Sequence, residues 1–170
     1  AALAFSGEPA APVRFDQGFE GASLGRIEQV GETEFRLHVA GQQDGRGRNR
    51  QASWFFFRMH HVRDRDLVLT LTDYVGEYND RPGACPMGPE LRPVFSCDGR
   101  QWRHFSEMAW DDVKKEATLR FKPEHDRVWI AQVPPYPHSR LLELLADVAR
   151  SPHAHVEVIG RTVLGRDLHL

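Results

Sequence analysis

What this 170-residue sequence lacks narrows the field before any motif is read. It holds two cysteines, Cys85 and Cys97, so at most one disulfide could form across a loop. In a cytosolic protein, free half-buried thiols are expected instead. Neither sign of charge dominates: a net charge of −2 and a pI of about 6.5 leave no footprint for nucleic acid or an anionic membrane. No apolar run approaches the roughly 20 residues that span a bilayer, so a soluble protein is expected. There is no glycine-rich phosphate loop followed by lysine and no nucleophile elbow. Internal repeats and low-complexity tracts are absent too. An initiator Met is missing, and Ala1 to Gly7 (AALAFSG) reads either as the start of a trimmed chain or as the remnant of a secretory signal. The first reading favours the cytoplasm, the second a secreted or periplasmic protein.

What is present is mainly β. Strand-like segments follow one another at short spacing, each ended by Gly, Pro, Asn or Asp, which is the layout of an antiparallel sandwich. Arg26 to Val30 and Glu34 to Val39 flank a Gly31-Glu32 turn. Gly41 to Gln51 reads as a basic, solvated loop. Ser53-Trp54-Phe55-Phe56-Phe57-Arg58-Met59 lacks polar alternation and suits a strand covered on both faces. Leu67 to Thr72 follows, then a Pro/Gly loop over Asn79 to Pro89. Leu91 to Cys97 and Gln101 to Phe105 are joined by Asp98-Gly99, a strong turn signal because glycine accepts positive φ at little cost. Ala117 to Phe121 and Arg127 to Val133 are predicted to form a hairpin over Pro123 to Asp126. Pro134 to Pro137 then stops the sheet. A helix is predicted over Ser139 to Arg150, with Ser139 as its N-cap and Leu141, Leu142, Leu144, Leu145 and Val148 as its apolar face. Val156 to Leu170 begins a hairpin whose second strand is cut off at Leu170, so the chain reads as the front of a longer protein. The domain boundary falls at about residue 135, giving residues 8–134 and 135–170.

Candidate chemistry is sparse. His60 and His61 are adjacent, so on a strand they face opposite sides and cannot share an ion. His153 and His155 are two apart and could share a metal, yet no third ligand stands near them; the plainer reading is an exposed linker pair. His38, His104, His125, His138 and His169 are scattered. The acidic runs Glu107 to Asp112 and Glu124 to Asp126 lack calcium-loop spacing and read as solvated turns. Trp54, Phe55, Phe56, Phe57, Trp102, Trp110 and Trp129 would make a sugar-stacking platform if exposed, and core if not. That leaves a noncatalytic carbohydrate- or protein-binding sandwich as an alternative function.

Several blocks, in order, resemble the cytosolic carboxypeptidase branch of the zinc metallocarboxypeptidases. They are Phe15 to Leu24, the aromatic strand Ser53 to Met59 (a Trp-Phe-x-Phe-Arg block in that branch), Leu91 to Ser96 and Trp102-Arg103. Val133 to Ser139 resembles the Pro-Tyr-x-x-Ser lead into the first peptidase helix. Gly160 to Leu168 resembles the hairpin that opens the peptidase sheet, with Leu164 where an acidic residue is frequent. The resemblance implies an N-terminal β-sandwich over residues 8–134, then the incomplete start of an α/β catalytic domain over 135–170. It implies zinc-dependent hydrolysis of C-terminal peptide bonds in the full-length protein, with peptide or protein tails as substrate and the chain's own catalytic domain as neighbour. The sandwich is expected to shape access to the active site. The zinc ligands, a His-x-x-Glu pair and a later His, are expected beyond Leu170 together with the catalytic residues. This segment alone is therefore expected to bind no zinc and to be inactive. No catalytic, metal-ligating or substrate-binding residue is assigned to it.

Overall fold

The computed structural model describes residues 11–45, 47 and 49–170. The Ala1 to Gly7 segment lies outside the described residues. The chain divides into two compact units, Ala1–Pro135 and Tyr136–Leu170.

In chain order the first unit contains β1 (Arg14–Asp16), β2 (Ile27–Gln29), β3 (Glu34–His38), the short β4 (Gln42–Gln43) and β5 (Arg50–Gln51), then β6 (Phe56–His60) and β7 (Leu67–Thr72). The short β8 (Glu77–Tyr78) and β9 (Arg81–Pro82) follow, then β10 (Val94–Ser96), β11 (Arg103–His104), β12 (Met108–Asp111), β13 (Glu116–Phe121) and β14 (Arg127–Ala131). One five-stranded sheet has the order β1-β6-β14-β10-β11 and the other the order β12-β13-β7-β3-β2. A small sheet, β4-β5-β8-β9, stands apart from both.

The two large sheets form a sandwich because each strand sends alternate side chains inward. Leu67, Leu69 and Leu71 of β7, Leu37 of β3 and Leu119 of β13 meet Phe57 and Met59 of β6 and Val128 and Ile130 of β14 in one buried cluster. Phe15 of β1 bridges the sheets, its ring centroid 5.0 Å from that of Phe35 and 5.9 Å from that of Phe57. Apolar residues recurring at every second position account for β3, β6, β7, β13 and β14.

Several expectations are corrected. β13 and β14 do not form a hairpin: β13 lies between β12 and β7 in one sheet, while β14 lies between β6 and β10 in the other. The 122–126 connection switches sheets, and so does 61–66. The two crossings bond each other, Val62 N–H donating to Asp126 O (3.2 Å) and Asp64 N–H to Pro123 O (2.8 Å). The run Glu107 to Asp112 is not a solvated turn throughout, since β12 lies within it and pairs with β13. Its inward Met108 and Trp110 pack against the core. The Gly41 to Gln51 stretch is not wholly loop, because its ends pair as β4 and β5, and β9 lies in the Asn79 to Pro89 stretch. The sheets are antiparallel save at β3–β7, where the chain travels through the small sheet and β6 before returning in the same direction.

The second unit holds α1 (His138–Val148) and the antiparallel pair β15 (Val158–Arg161) and β16 (Asp167–His169). Ser139 is not the N-cap. Pro137 is, with no side-chain cap bond, its carbonyl accepting from the N–H groups of Arg140 and Leu141. Arg150 lies past the C-cap, Ala149, and pairs with Asp147. Of the predicted apolar face, Leu141, Leu145 and Val148 are half-buried while Leu142 and Leu144 are exposed, and no residue of α1 is fully buried.

Candidate functional site

The outer face of the β1-β6-β14-β10-β11 sheet carries the densest chemistry among the described residues, and cross-strand register sorts it into rows. The first row is apolar: Phe56 of β6 opposite Ala131 of β14, itself opposite Val94 of β10. Phe19, Trp54 and Trp102 cover it, with ring centroids 4.9, 6.2 and 5.8 Å from that of Phe56. Trp54 fixes the covering segment by donating its indole N–H to Gly21 O at 3.0 Å. The aromatic strand is thus buried on both faces, Phe55 and Phe57 inward and Phe56 outward.

The next row sets Asp16 of β1, Arg58 of β6 and Trp129 of β14 side by side. Arg58 donates twice to one carboxylate oxygen of Asp16, from Nε at 3.0 Å and from Nη2. Its guanidinium carbon lies 5.0 Å from the Phe19 ring centroid and 5.5 Å from that of Trp129. The Arg58 bond, aided by the Gly18 N–H, holds the Asp16 carboxyl down at about 2. The last row is Arg14 of β1, His60 of β6 and Arg127 of β14. Burial, with Arg14 and Arg58 nearby, pushes the His60 imidazole below its ordinary range despite Asp16.

Elsewhere the surface holds two open polar hollows. One of about 520 Å³ lies against Phe95, Phe105, Phe121, Arg103 and Arg120. The other, about 590 Å³, is lined by His38, Arg50, Asp73, Tyr74 and Lys115 among others. Arg50, read from the sequence as part of a solvated basic loop, is half-buried. Its guanidinium donates to the carbonyls of Val39, Ala40, Asp73 and Val75, tying the small sheet to the ends of β3 and β7.

The residues weighed as metal ligands are not brought together. His153 and His155 are exposed, and among the described residues no group of three His, Cys, Asp or Glu side chains could hold a metal ion. His60 reaches toward Asp16 at 3.5 Å while His61, at φ 61°, turns to Asp126 at 3.7 Å. A His-x-x-Glu spacing does occur once within the chain, at His104-Phe105-Ser106-Glu107. His104 Nδ1 lies 2.9 Å from Arg92 O, and among the described residues the motif belongs to no group of three His, Cys, Asp or Glu side chains that could hold a metal ion. Zinc does not fit there. Cys85 and Cys97 are free and half-buried. Of the seven aromatics considered as a platform, Phe55, Phe56 and Phe57 are buried and the four tryptophans half-buried.

A family model described as the cytosolic carboxypeptidase N-terminal domain matches residues 15–132. The chain belongs to this family. Both residues of the Asp16–Arg58 pair lie inside the matched span. Among solved structures, a metallo-carboxypeptidase from Burkholderia cenocepacia is 26% identical at a TM-score of 0.77, over 92% of this chain and 38% of that one. A protein described as a carboxypeptidase from Burkholderia mallei ATCC 23344 is 29% identical at 0.76, over 99% of this chain and 40% of that one. A metallo-carboxypeptidase from Pseudomonas aeruginosa, solved with (2-guanidinoethylmercapto)succinic acid, shares the fold at 19% identity and a TM-score of 0.64, over 92% and 39%. The chain thus spans 38% to 40% of the length of these structures. No curated protein sequence matches it. The cytosolic carboxypeptidase N-terminal domain is therefore the β-sandwich described above, in a chain similar to metallocarboxypeptidases.

Sequence reading quoted the blocks that carry Asp16 and Arg58 but missed their pairing. Strand β1 was not predicted, and without its register nothing places Asp16 opposite Arg58.

Proposed function

We propose that this chain is the N-terminal region of a cytoplasmic zinc metallocarboxypeptidase that hydrolyses C-terminal peptide bonds. Residues 8–134 are its sandwich domain, and 135–170 begin its catalytic domain. One observation carries the reading: the similarity to the Burkholderia carboxypeptidases extends past the family-model span of 15–132 to take in 92% and 99% of the chain. A free-standing binding sandwich would have no reason to share the helix and hairpin that follow. The half-buried or buried state of all seven platform aromatics also weighs against a sugar-stacking surface.

In this reading the zinc belongs to the catalytic domain of the whole protein, because the described residues offer no set of ligands that fits it. The sandwich narrows the approach to the cleft and so selects which peptide tails enter. Residues 132–137 connect the last sandwich strand, β14, to α1. The test is to assay the full-length protein, and a version lacking residues 1–133, on one panel of peptides with and without a chelator. Chelator-sensitive release of C-terminal residues, with altered preferences in the shortened version, is expected. Hydrolysis that survives the chelator sinks the zinc assignment, and unchanged preferences sink the role of the sandwich. Residues 1–170 alone are expected to take up no stoichiometric zinc.

A further inference from the structure

The hollow of about 520 Å³ takes Phe95 and Arg103 from one large sheet and Leu67 and Phe121 from the other, so it lies at an open margin of the sandwich. Its volume is within the range of small-molecule sites. The floor is a cluster of three rings. The centroid of Phe95 lies 5.0 Å from that of Phe105 and 6.0 Å from that of Phe121, and the last two are 4.9 Å apart. Phe105 is buried, whereas Phe95 and Phe121 are only half-buried although both pack against the core. Apolar ring surface is therefore left uncovered where these two side chains line the hollow.

Charges of both signs ring that floor. Arg103, directly opposite Phe95 on the neighbouring strand, holds its guanidinium carbon 5.2 Å from the Phe95 ring centroid. Stacking orders the flat guanidinium while leaving its edge donors free. Glu107 and Arg120 stand one position beyond Met108 and Leu119, where the pairing of β12 with β13 stops. Glu124 comes from the 122–126 connection. Among the described residues Arg103, Arg120, Glu107 and Glu124 make no ion pair, whereas Lys122 is answered by Asp66 at 3.7 Å. A ligand with a single charge would meet a like charge on the same rim. A ligand with one charge of each sign beside an apolar group is complementary to both rim and floor.

We propose that this hollow binds the zwitterion of an apolar α-amino acid. The side chain lies on the Phe95, Phe105 and Phe121 rings, the carboxylate meets Arg103 and Arg120, and the ammonium meets Glu107 and Glu124. Binding uses sandwich residues alone; only the source of the ligand, a residue released from a peptide tail, rests on the peptidase reading.

The test adds L-phenylalanine to the 170-residue protein, to about 20 mM, a range that reports millimolar dissociation constants. NMR follows the ring signals of Phe95, Phe105 and Phe121 and the backbone amides of Cys97 and Lys122. Three comparators each lack one element: N-acetylphenylalanine the ammonium, phenylalaninamide the carboxylate, and glycine the apolar side chain. Saturable shifts centred on the hollow are expected with phenylalanine, and binding at least about fivefold weaker with each comparator. Arg103→Gln should weaken phenylalanine about fivefold, and so should Glu107→Gln combined with Glu124→Gln. Circular dichroism and a urea midpoint check that each variant folds, and Arg120→Gln, at an exposed position, repeats the test should Arg103→Gln fail to fold. The absence of a saturable shift overturns the site. So does a comparator that binds as tightly as phenylalanine, or undiminished binding in the folded variants. Chelator-sensitive hydrolysis by the full-length protein without this binding would sink the site and leave the peptidase reading standing, and binding without hydrolysis would do the reverse.

Discussion

Asp16 and Arg58 lie 42 positions apart, yet they form the most constrained ion pair on the outer face, with side chains 17% and 22% exposed. The pair holds Asp16 at about 2, below its ordinary 3.8. A carboxyl lowered on folding adds stability that is fully present above the unfolded value and is lost as the pH falls through the folded one. The difference in unfolding free energy between wild type and Asp16→Asn should therefore be largest above about pH 4 and shrink toward pH 2, read from urea curves at each pH. A difference that stays constant over that window would show that the carboxylate's charge contributes nothing. Asp98, also held at about 2 by the N–H groups of Gln101 and Arg100 and by Ser96, titrates in both proteins and cancels from the comparison. Arg50 makes the complementary point about legibility. Its neighbours read as a solvated basic loop, and nothing local reveals that four main-chain carbonyls from the segments following β3 and β7 surround its guanidinium.

Among the elements, β6 and α1 are opposites. Strand β6 is covered on both faces because Phe57 and Met59 point into the sandwich while Phe19, Trp54 and Trp102 close over Phe56. Deleting the Phe57 ring leaves a void that neighbours packed on both sides cannot fill, so Phe57→Ala should cost about 3–5 kcal/mol in chemical denaturation. Leu142 on α1 is 45% exposed and leaves no such void. Leu142→Ala should therefore cost no more than about 0.5 kcal/mol by the same measurement. A comparable loss in both variants would contradict the burial of β6. The unbroken aromatic run made β6 legible from the sequence. By contrast β12 was hidden because exposed Ala109 and half-buried Asp111 alternate with inward Met108 and Trp110 inside a run that looks acidic.

Taken whole, the molecule divides its core unevenly. All the fully buried apolar side chains among the described residues belong to the unit ending at Pro135. In the unit Tyr136–Leu170 the helix buries nothing completely, and Val158, Ile159, Val163, Leu164 and Leu168 of the hairpin region are exposed. Backbone hydrogen bonds without an apolar cover open at low free-energy cost. Hydrogen exchange on the 170-residue protein should therefore be fast throughout α1, β15 and β16 and slow in β6, β7, β13 and β14. Equal protection in both units would mean that the second has a core of its own.

Local chemistry determined a good deal without any tertiary information. Alternating apolar residues gave most strands of the sandwich, Asp98-Gly99 gave the β10–β11 turn, Pro134 to Pro137 gave the end of the sheet, and leucine spacing gave α1. These features depend on φ preferences and on side-chain period, both of which are written along the chain. Tertiary structure alone decided which strands share a sheet, the parallel β3–β7 pairing, the sheet switch at 122–126 and the rows that join Asp16 to Arg58 and set Arg14 and Arg127 about His60. Partner and register depend on how two inward faces fill a common core, and residues far apart in sequence settle that only when they pack.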